Sequence, residues 1–318
     1  MAAFLARRIL AAGVVLLAVS LLVYALIGLM PGDPIDLMLQ ADPSLTAADV
    51  ARLKALEGLD QPLLARWARW LGRALQGDFG YSRLYALPVV EVLAPRLGNT
   101  LVLLGTSLVL ALAIALPLGI WTAARPGGIA DALVTSIAVM GFSVPAFWLG
   151  LLLIIVFAVE LGWLPAGGTG SAGDAGLIER VRYLVLPVAT LTLLTAGVFV
   201  RFVRAAMLES LREPFIRTAR ALGCSELRVL LRHALPHAML PVVTLIALSF
   251  GSLFSGALVV ETTFAYLGVG KLIYDAILGN DFNLALFALM LATLVTLASN
   301  LAADLAYAWL DPRISHGD

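Results

Sequence analysis

Residues 213–241 read EPFIRTARALGCSELRVLLRHALPHAMLP, and on either side of them stand runs apolar enough to cross a bilayer. Arg217, Arg220, Arg228 and Arg232 make this segment too charged for lipid. Ala219, Ala221 and Gly223 leave room for another backbone or side chain to approach. A basic turn with small residues between two spans reads as a docking element, and its positive charge assigns it to the cytoplasmic face.

The rest of the chain fits a membrane protein. Hydrophobic residues make up 61% and charged residues 13%, the mean hydropathy is +0.97, and a soluble domain is about a quarter charged. A hydrocarbon core about 30 Å thick takes roughly 20 apolar residues of helix to cross. Six stretches reach that length: Ile9 to Met30, Thr100 to Trp121, Ala132 to Val159, Tyr183 to Val200, Ala234 to Val260 and Leu284 to Ala303. None contains Lys, Arg, Asp or Glu. Lipid offers backbone groups no partner, so each stretch is expected to be helical and the fold all-α and polytopic. The first run follows Arg7 and Arg8 as a secretory signal would, but it continues to the turn at Pro31, Gly32, Asp33 and Pro34. A signal core is about 7 to 15 residues, so this run reads as an uncleaved anchor.

With the amino terminus inside, eleven arginines face the cytoplasm: Arg7, Arg8, Arg125, Arg201, Arg204, Arg212, Arg217, Arg220, Arg228, Arg232 and Arg313. The short outer loops hold only Arg180, Arg182 and Lys271, so both termini are expected inside. The long outer loop, 31–99, carries seven basic and eight acidic residues. Within it Ser44 to Leu56 and Pro62 to Leu75 read as short amphipathic helices, with Trp67 and Trp70 suited to packing on the membrane surface. The second outer loop, 160–182, is rich in Gly and Ala from Ala166 to Gly176 and is expected to be flexible.

Several chemistries are disfavoured. A single cysteine, Cys224, excludes disulfides within the chain. His233 and His237 stand four residues apart on one helix face, but no carboxylate or thiol at helical spacing completes a metal set. There is no GxSxG, HExxH or Cys-rich cluster, so nothing points to an enzyme. GVGK at Gly268 to Lys271 resembles the end of a phosphate loop, yet Ala265 stands where the earlier glycine belongs and Leu272 follows the lysine. No carboxylate lies within a span, which disfavours coupling to an ion gradient. Energy must then come from elsewhere.

The spacing of Arg217, Thr218, Ala219, Gly223 and then His233, Ala234, Leu235, Pro236 resembles the cytoplasmic EAA loop of binding-protein-dependent ABC importer permeases, in the dipeptide, oligopeptide and nickel branch. The resemblance covers nearly the whole chain: ARRIL at 6–10, PGDP at 31–34, GLDQPL at 58–63, GDFGYS at 77–82, PRLGNTL at 95–101, SVPAFWLG at 143–150, GWLPAGG at 162–168 and VETTF at 260–264. It is nearest to the first of the two permease subunits, the type with a long first outer loop. Leu267 and Asn283 depart from prolines frequent in the family and put local outer-loop geometry in doubt.

The resemblance implies a type I importer permease of six transmembrane helices, a single transmembrane domain over 1–318 with a periplasmic loop at 31–99 and a coupling segment at 201–233. It implies a second permease, two ABC ATPase subunits and an extracytoplasmic substrate-binding protein as partners, in a bacterial inner membrane, with no nucleic acid. No cofactor is expected in this chain; ATP and Mg belong to the ATPase subunits. Glu213, Arg217, Thr218, Ala219, Arg220, Gly223 and Ser225 are the expected ATPase-coupling residues, with Gly223 turning the chain and Arg217 and Arg220 meeting carboxylates of the motor. Pro236 and Pro241 are expected either to kink the fifth span or to pack passively. Ser143, Pro145, Ser249, Ser252, Ser255 and Asn300 are polar or bent points within spans, and two readings stay open for them, a path lining and helix packing. Glu261 and Asp281 at the outer mouth read as contacts for a cationic peptide terminus or for the binding protein. All three histidines and Cys224 fall on the cytoplasmic side, which favours di- or oligopeptides over nickel or a metal chelate. The readings from other classes are an intramembrane enzyme and a gated channel.

Overall fold

Apolar runs this long satisfy their backbone groups only as helices, and they do so here. The computed structural model describes residues 2–29, 61–170 and 176–310. The helix expected over 44–56, the PGDP turn, residues 58–60, Arg313 and His316 lie outside the described residues. In chain order the elements are α1 (Ala2–Gly28), α2 (Leu63–Leu75), a hairpin of β1 (Tyr81–Ser82) and β2 (Leu87–Pro88), α3 (Val89–Ala124), α4 (Ile129–Ser143) and α5 (Ala146–Leu153). They continue with α6 (Leu177–Ser210), α7 (Pro214–Ala221), α8 (Glu226–Arg228), α9 (Leu235–Thr263), α10 (Val269–Leu278) and α11 (Phe282–Leu310). Wider π turns at Ile154–Glu160 and Val229–Ala234 extend α5 and lead into α9. Among the described residues, five helices are long and apolar enough to cross a membrane, or six if the α4 and α5 pair is one crossing.

That pair departs from the straight third span expected. The two halves meet at 101°. Pro145 lacks an N–H and pushes the residue before it out of the helical region, and Val144 is extended at φ −84 and ψ 131. The Ser143 hydroxyl turns back onto the Val139 carbonyl at 2.9 Å. Pro236 causes no such break, because the helix runs on continuously from Glu226 through the π turn at Val229–Ala234 into α9. The irregularity lies just before it, in the π turn.

The described residues fall into two compact units, one drawn from 1–97 with 272–294 and the other from 98–271 with 295–318. In the first, Trp70 of α2 is buried, its ring 6.2 Å from that of Tyr24 on α1, and Trp67 Nε1 donates to Ser20 Oγ at 3.1 Å. The tryptophans expected on the membrane surface thus grip α1, because an indole beside a mid-span serine gives both a partner. Asn283, one of the departures from the family pattern, uses its amide to donate to the Tyr81 carbonyl at 3.2 Å.

In the second unit, α6 packs against α4, α5 and α9. Close approach between helices in lipid rests on small residues. A Cβ at Gly197 would overlap the Ala138 carbonyl, and one at Gly119 would meet the Val203 side chain at 2.6 Å. Residues 161–170 are less free than their composition suggested: Gly168 N donates to Phe264 O at 2.8 Å, and Gly167 has no room for a side chain against that same backbone.

Candidate functional site

The segment that looked like a docking turn is built as a short helix with a packed underside and a bare outer face. Glu213 caps α7 in extended backbone, and Pro214 opens it with a preset φ. Eight residues make barely two turns, too few to hold on propensity alone, so packing must hold it. Ile216 and Ala219 turn inward, 0% and 6% exposed, into a cluster with Ala123, Val203, Met207, Val229, Ala234, Ala238 and Val242. The Phe215 and His237 rings lie 4.6 Å apart. Ala219, expected to make room for another chain, instead makes room for this chain's own core.

Arg217, Thr218 and Arg220 face outward. Beside them Leu222 is 79% exposed and Leu227 67%. Gly223 ends the helix at φ 80, where residues with a Cβ are strained. Among the described residues nothing beyond its chain neighbours lies within 4 Å of where its Cβ would stand, so it serves the turn. Arg220 pairs with Glu226 of its own chain through Nε at 2.8 Å and Nη2 at 3.1 Å, both partners well exposed. Ser225 precedes α8 in extended backbone without a side-chain cap. Behind this surface the Ser210 hydroxyl donates to the Ala234 carbonyl at 3.0 Å, pinning the end of the π turn to α6. An open cleft of about 540 Å³ lined by Arg204, Leu208, Glu209, Arg212, Glu213 and Pro214 borders the same helix.

A second device at this end of the unit was not foreseen. Arg204 Nε and Nη2 reach the Asp131 carboxylate at 2.6 and 2.7 Å, a two-point pair between α6 and α4. Gly127 N adds a third bond at 2.9 Å, and the side chains are 26% and 7% exposed. Arg204 had been read only as a topology charge. An Asp in the first turn of a helix is the signal that was available, since carboxylates favour that position. Arg204→Met is expected to cost about 3 kcal/mol, the low end for breaking a buried pair because Arg204 is partly exposed. The exchange Asp131→Arg with Arg204→Asp should recover part of that in thermal melts of detergent-solubilised protein, and no recovery would mean the pair matters only for its packing.

The two outer-mouth carboxylates are committed to the chain itself. Glu261 is 0% exposed. Its Oε1 accepts from the Thr100 hydroxyl at 2.6 Å and its Oε2 from Lys271 N at 3.1 Å. Thr100 Oγ1 in turn accepts from Val269 N at 2.8 Å. The glycines of GVGK make this possible: a Cβ at Gly268 would overlap the carboxylate, and one at Gly270 would overlap the Leu258 backbone. Burial, helped by the Glu261 charge, pushes the neighbouring Tyr266 phenol up to about 12. Asp281, 2% exposed, accepts from Ser82 Oγ at 2.5 Å, Leu84 N at 3.0 Å and Leu284 N at 3.2 Å. It fixes the hairpin to the start of α11. Neither carboxylate is presented to a passing peptide.

Of the other path residues, Ser143 and Pro145 sit exposed at the α4–α5 break and Ser249 is half-buried on α9. Asn300 is exposed on α11. The side chains of Ser252 and Ser255 lie outside the described residues.

Comparison with known proteins agrees with this architecture. The family described as "Binding-protein-dependent transport system inner membrane component" matches residues 115–316, and its N-terminal companion matches residues 1–103. The "Oligopeptide transport system permease protein AppB" of Bacillus subtilis (strain 168) is 37% identical over 318 residues, covering 99% of this chain and 100% of that protein. The "Glutathione transport system permease protein GsiC" of Escherichia coli (strain K12) is 39% identical over 313 residues, covering 98% and 99%. Among solved structures, an inward-facing MetNI methionine ABC transporter aligns with a TM-score of 0.57 at 21% identity, over 70% of this chain and 98% of that one, a likeness of fold.

Proposed function

The chain belongs to the family of binding-protein-dependent transport system inner membrane components, and from that premise we infer that it is one permease half of an ATP-driven importer of di- or oligopeptides. A second permease completes the translocation path, and an extracytoplasmic binding protein delivers the peptide. Two separate ABC subunits bind and hydrolyse ATP with Mg. The relatives that carry peptide and glutathione names favour peptides over nickel. Both termini and α7 face the cytoplasm in this reading, as the arginine bias requires.

The observation that carries the coupling role is the two-sided build of α7. Ile216 and Ala219 anchor it to the ends of α3, α6 and α9, while Arg217, Thr218 and Leu222 are exposed and Arg220 pairs with Glu226 on the same exposed surface. A rigid handle that is buried below and bare above transmits displacement into the spans. Closure of the ATPase pair then moves α7, and the two permease halves pass from inward-open to outward-open.

The test is reconstitution in nanodiscs with the second permease, both ATPases and the binding protein. Peptide-loaded binding protein should raise ATP hydrolysis severalfold over unloaded binding protein. Stimulation by a nickel-loaded binding protein alone would replace the peptide reading, and turnover or current without ATP would replace the importer.

A further inference from the structure

Helices α4 and α6 run antiparallel and touch at three levels. Asp131, in the first turn of α4, takes the two-point bond from Arg204 of α6. Two turns on, about 10 Å along the axis, a Cβ on Gly197 of α6 would overlap the Ala138 carbonyl. One turn further, a Cβ on Gly141 of α4 would stand 3.2 Å from the Leu193 oxygen. The contact thus extends from the Arg204 end to about one turn short of the break at Val144 and Pro145. Beyond the break α5 has another close neighbour: a Cβ on Gly150 would meet Thr263 and Phe264, at the end of α9, at 3.1 Å.

α6 is also the root of α7. Between Arg204 and Pro214, Met207 shares a buried cluster with Ile216 and Ala219, and Ser210 holds the Ala234 carbonyl. Arg204 itself lines the cleft beside α7 together with Glu213 and Pro214. Displacement of α7 therefore enters α6 first, and what it moves next depends on how α6 is joined to its neighbours. Contacts between small residues leave packed helices free to slide past one another. Two parallel N–H···O bonds to one carboxylate oppose both sliding and rotation. On the importer reading above, we propose that Arg204 and Asp131 are positioning residues for transport. They pin α4 to α6, so that α4 travels with α7 and the broken crossing hinges at Val144 and Pro145.

The experiment uses the complete assembly in proteoliposomes, carrying the wild-type chain, Asp131→Asn or the exchange D131R/R204D. Peptide imported and ATP hydrolysed are measured at equal amounts of assembled complex. Asp131→Asn keeps the shape of the side chain and an oxygen for Gly127 N, and gives up the charge-assisted pair. It should still hydrolyse ATP in response to loaded binding protein while importing roughly fivefold less peptide per ATP, the low end of a coupling free energy. The exchange should recover part of that loss. Spin labels at Ile137 of α4, 66% exposed, and at the exposed Thr218 of α7, in a Cys224→Ser background, read the joint directly. When nucleotide is trapped their separation should hold in the otherwise wild-type chain and change by on the order of 2 Å in Asp131→Asn. Unchanged peptide per ATP in Asp131→Asn would overturn the proposal. So would uptake and hydrolysis falling together, the mark of a bond that only holds the fold, and so would labels that shift without the substitution. A wild-type assembly that imports no peptide would bring down the importer reading and this proposal with it, a failure visible before any variant is compared.

Discussion

Gly270→Ala will leave little folded protein, although it adds a single methyl group. The new Cβ would lie inside the backbone of Leu258, at 2.8 Å from its nitrogen and nearer still to its Cα. A helix backbone cannot rotate out of the way as a side-chain tip can, so α10 must move away from α9. Overpacking of this kind costs typically 1–3 kcal/mol and occasionally more, and the absence of any yielding atom puts this site at about 3 kcal/mol. The displacement also pulls Lys271 N and Val269 N from Glu261 and Thr100, and a buried carboxylate that loses its donors costs a further increment. Melting temperature and recovery from detergent extraction measure the loss. Gly105→Ala, with nothing beyond its own helix within 4 Å of its Cβ among the described residues, is the control and should melt like wild type. Glu261→Gln should fall between the two, at about 1–3 kcal/mol, since it removes the charge that strengthens both bonds and can keep the Lys271 N–H satisfied only by turning its NH2 to the Thr100 hydroxyl. A Gly270→Ala protein as stable as the control would mean that the packing between α9 and α10 is loose.

The carboxylates show where sequence reading runs out. The five long apolar helices, and the bent α4 and α5 pair as a run, were legible because bilayer thickness and backbone satisfaction leave an apolar run of this length one conformation. Pro145 was legible as a bent point, and Gly223 as a turn, because each residue type limits its own backbone. Glu261 and Asp281 were read as outward contacts for a peptide terminus or the binding protein, and their burial was missed for a different reason. What consumes a carboxylate is the set of N–H and O–H groups aimed at it, and those come from Thr100 at a separation of 161 residues and from Ser82 at 199. Asp131 and Arg204, 73 residues apart, were hidden in the same way. Trp67 and Trp70 were placed on the right helix but on the wrong neighbour, because amphipathic spacing says that a face is covered and not by what.

The double substitution Arg217→Glu with Leu222→Asp is expected to abolish uptake while leaving the permease folded. Arg217 is exposed on α7 and Leu222 is exposed just past its end. Surface changes away from packed groups usually move stability by no more than about 0.5 kcal/mol. The same two changes reverse a charge and place a carboxylate where a leucine 79% exposed now meets solvent. At an interface, like charges brought together cost several kcal/mol, so peptide uptake in cells should drop at least tenfold at unchanged membrane abundance. ATP hydrolysis in the reconstituted assembly should lose its response to loaded binding protein. Ala219→Leu makes the opposite pattern: that side chain points into the buried cluster with Ile216 and Val229, so abundance falls first and uptake only in proportion. The contrast separates a face that touches another protein from one that holds the helix down. Normal uptake by the Arg217 and Leu222 variant would show that force enters the permease elsewhere, with the neighbouring cleft at Arg212 and Glu209 the next surface to reverse.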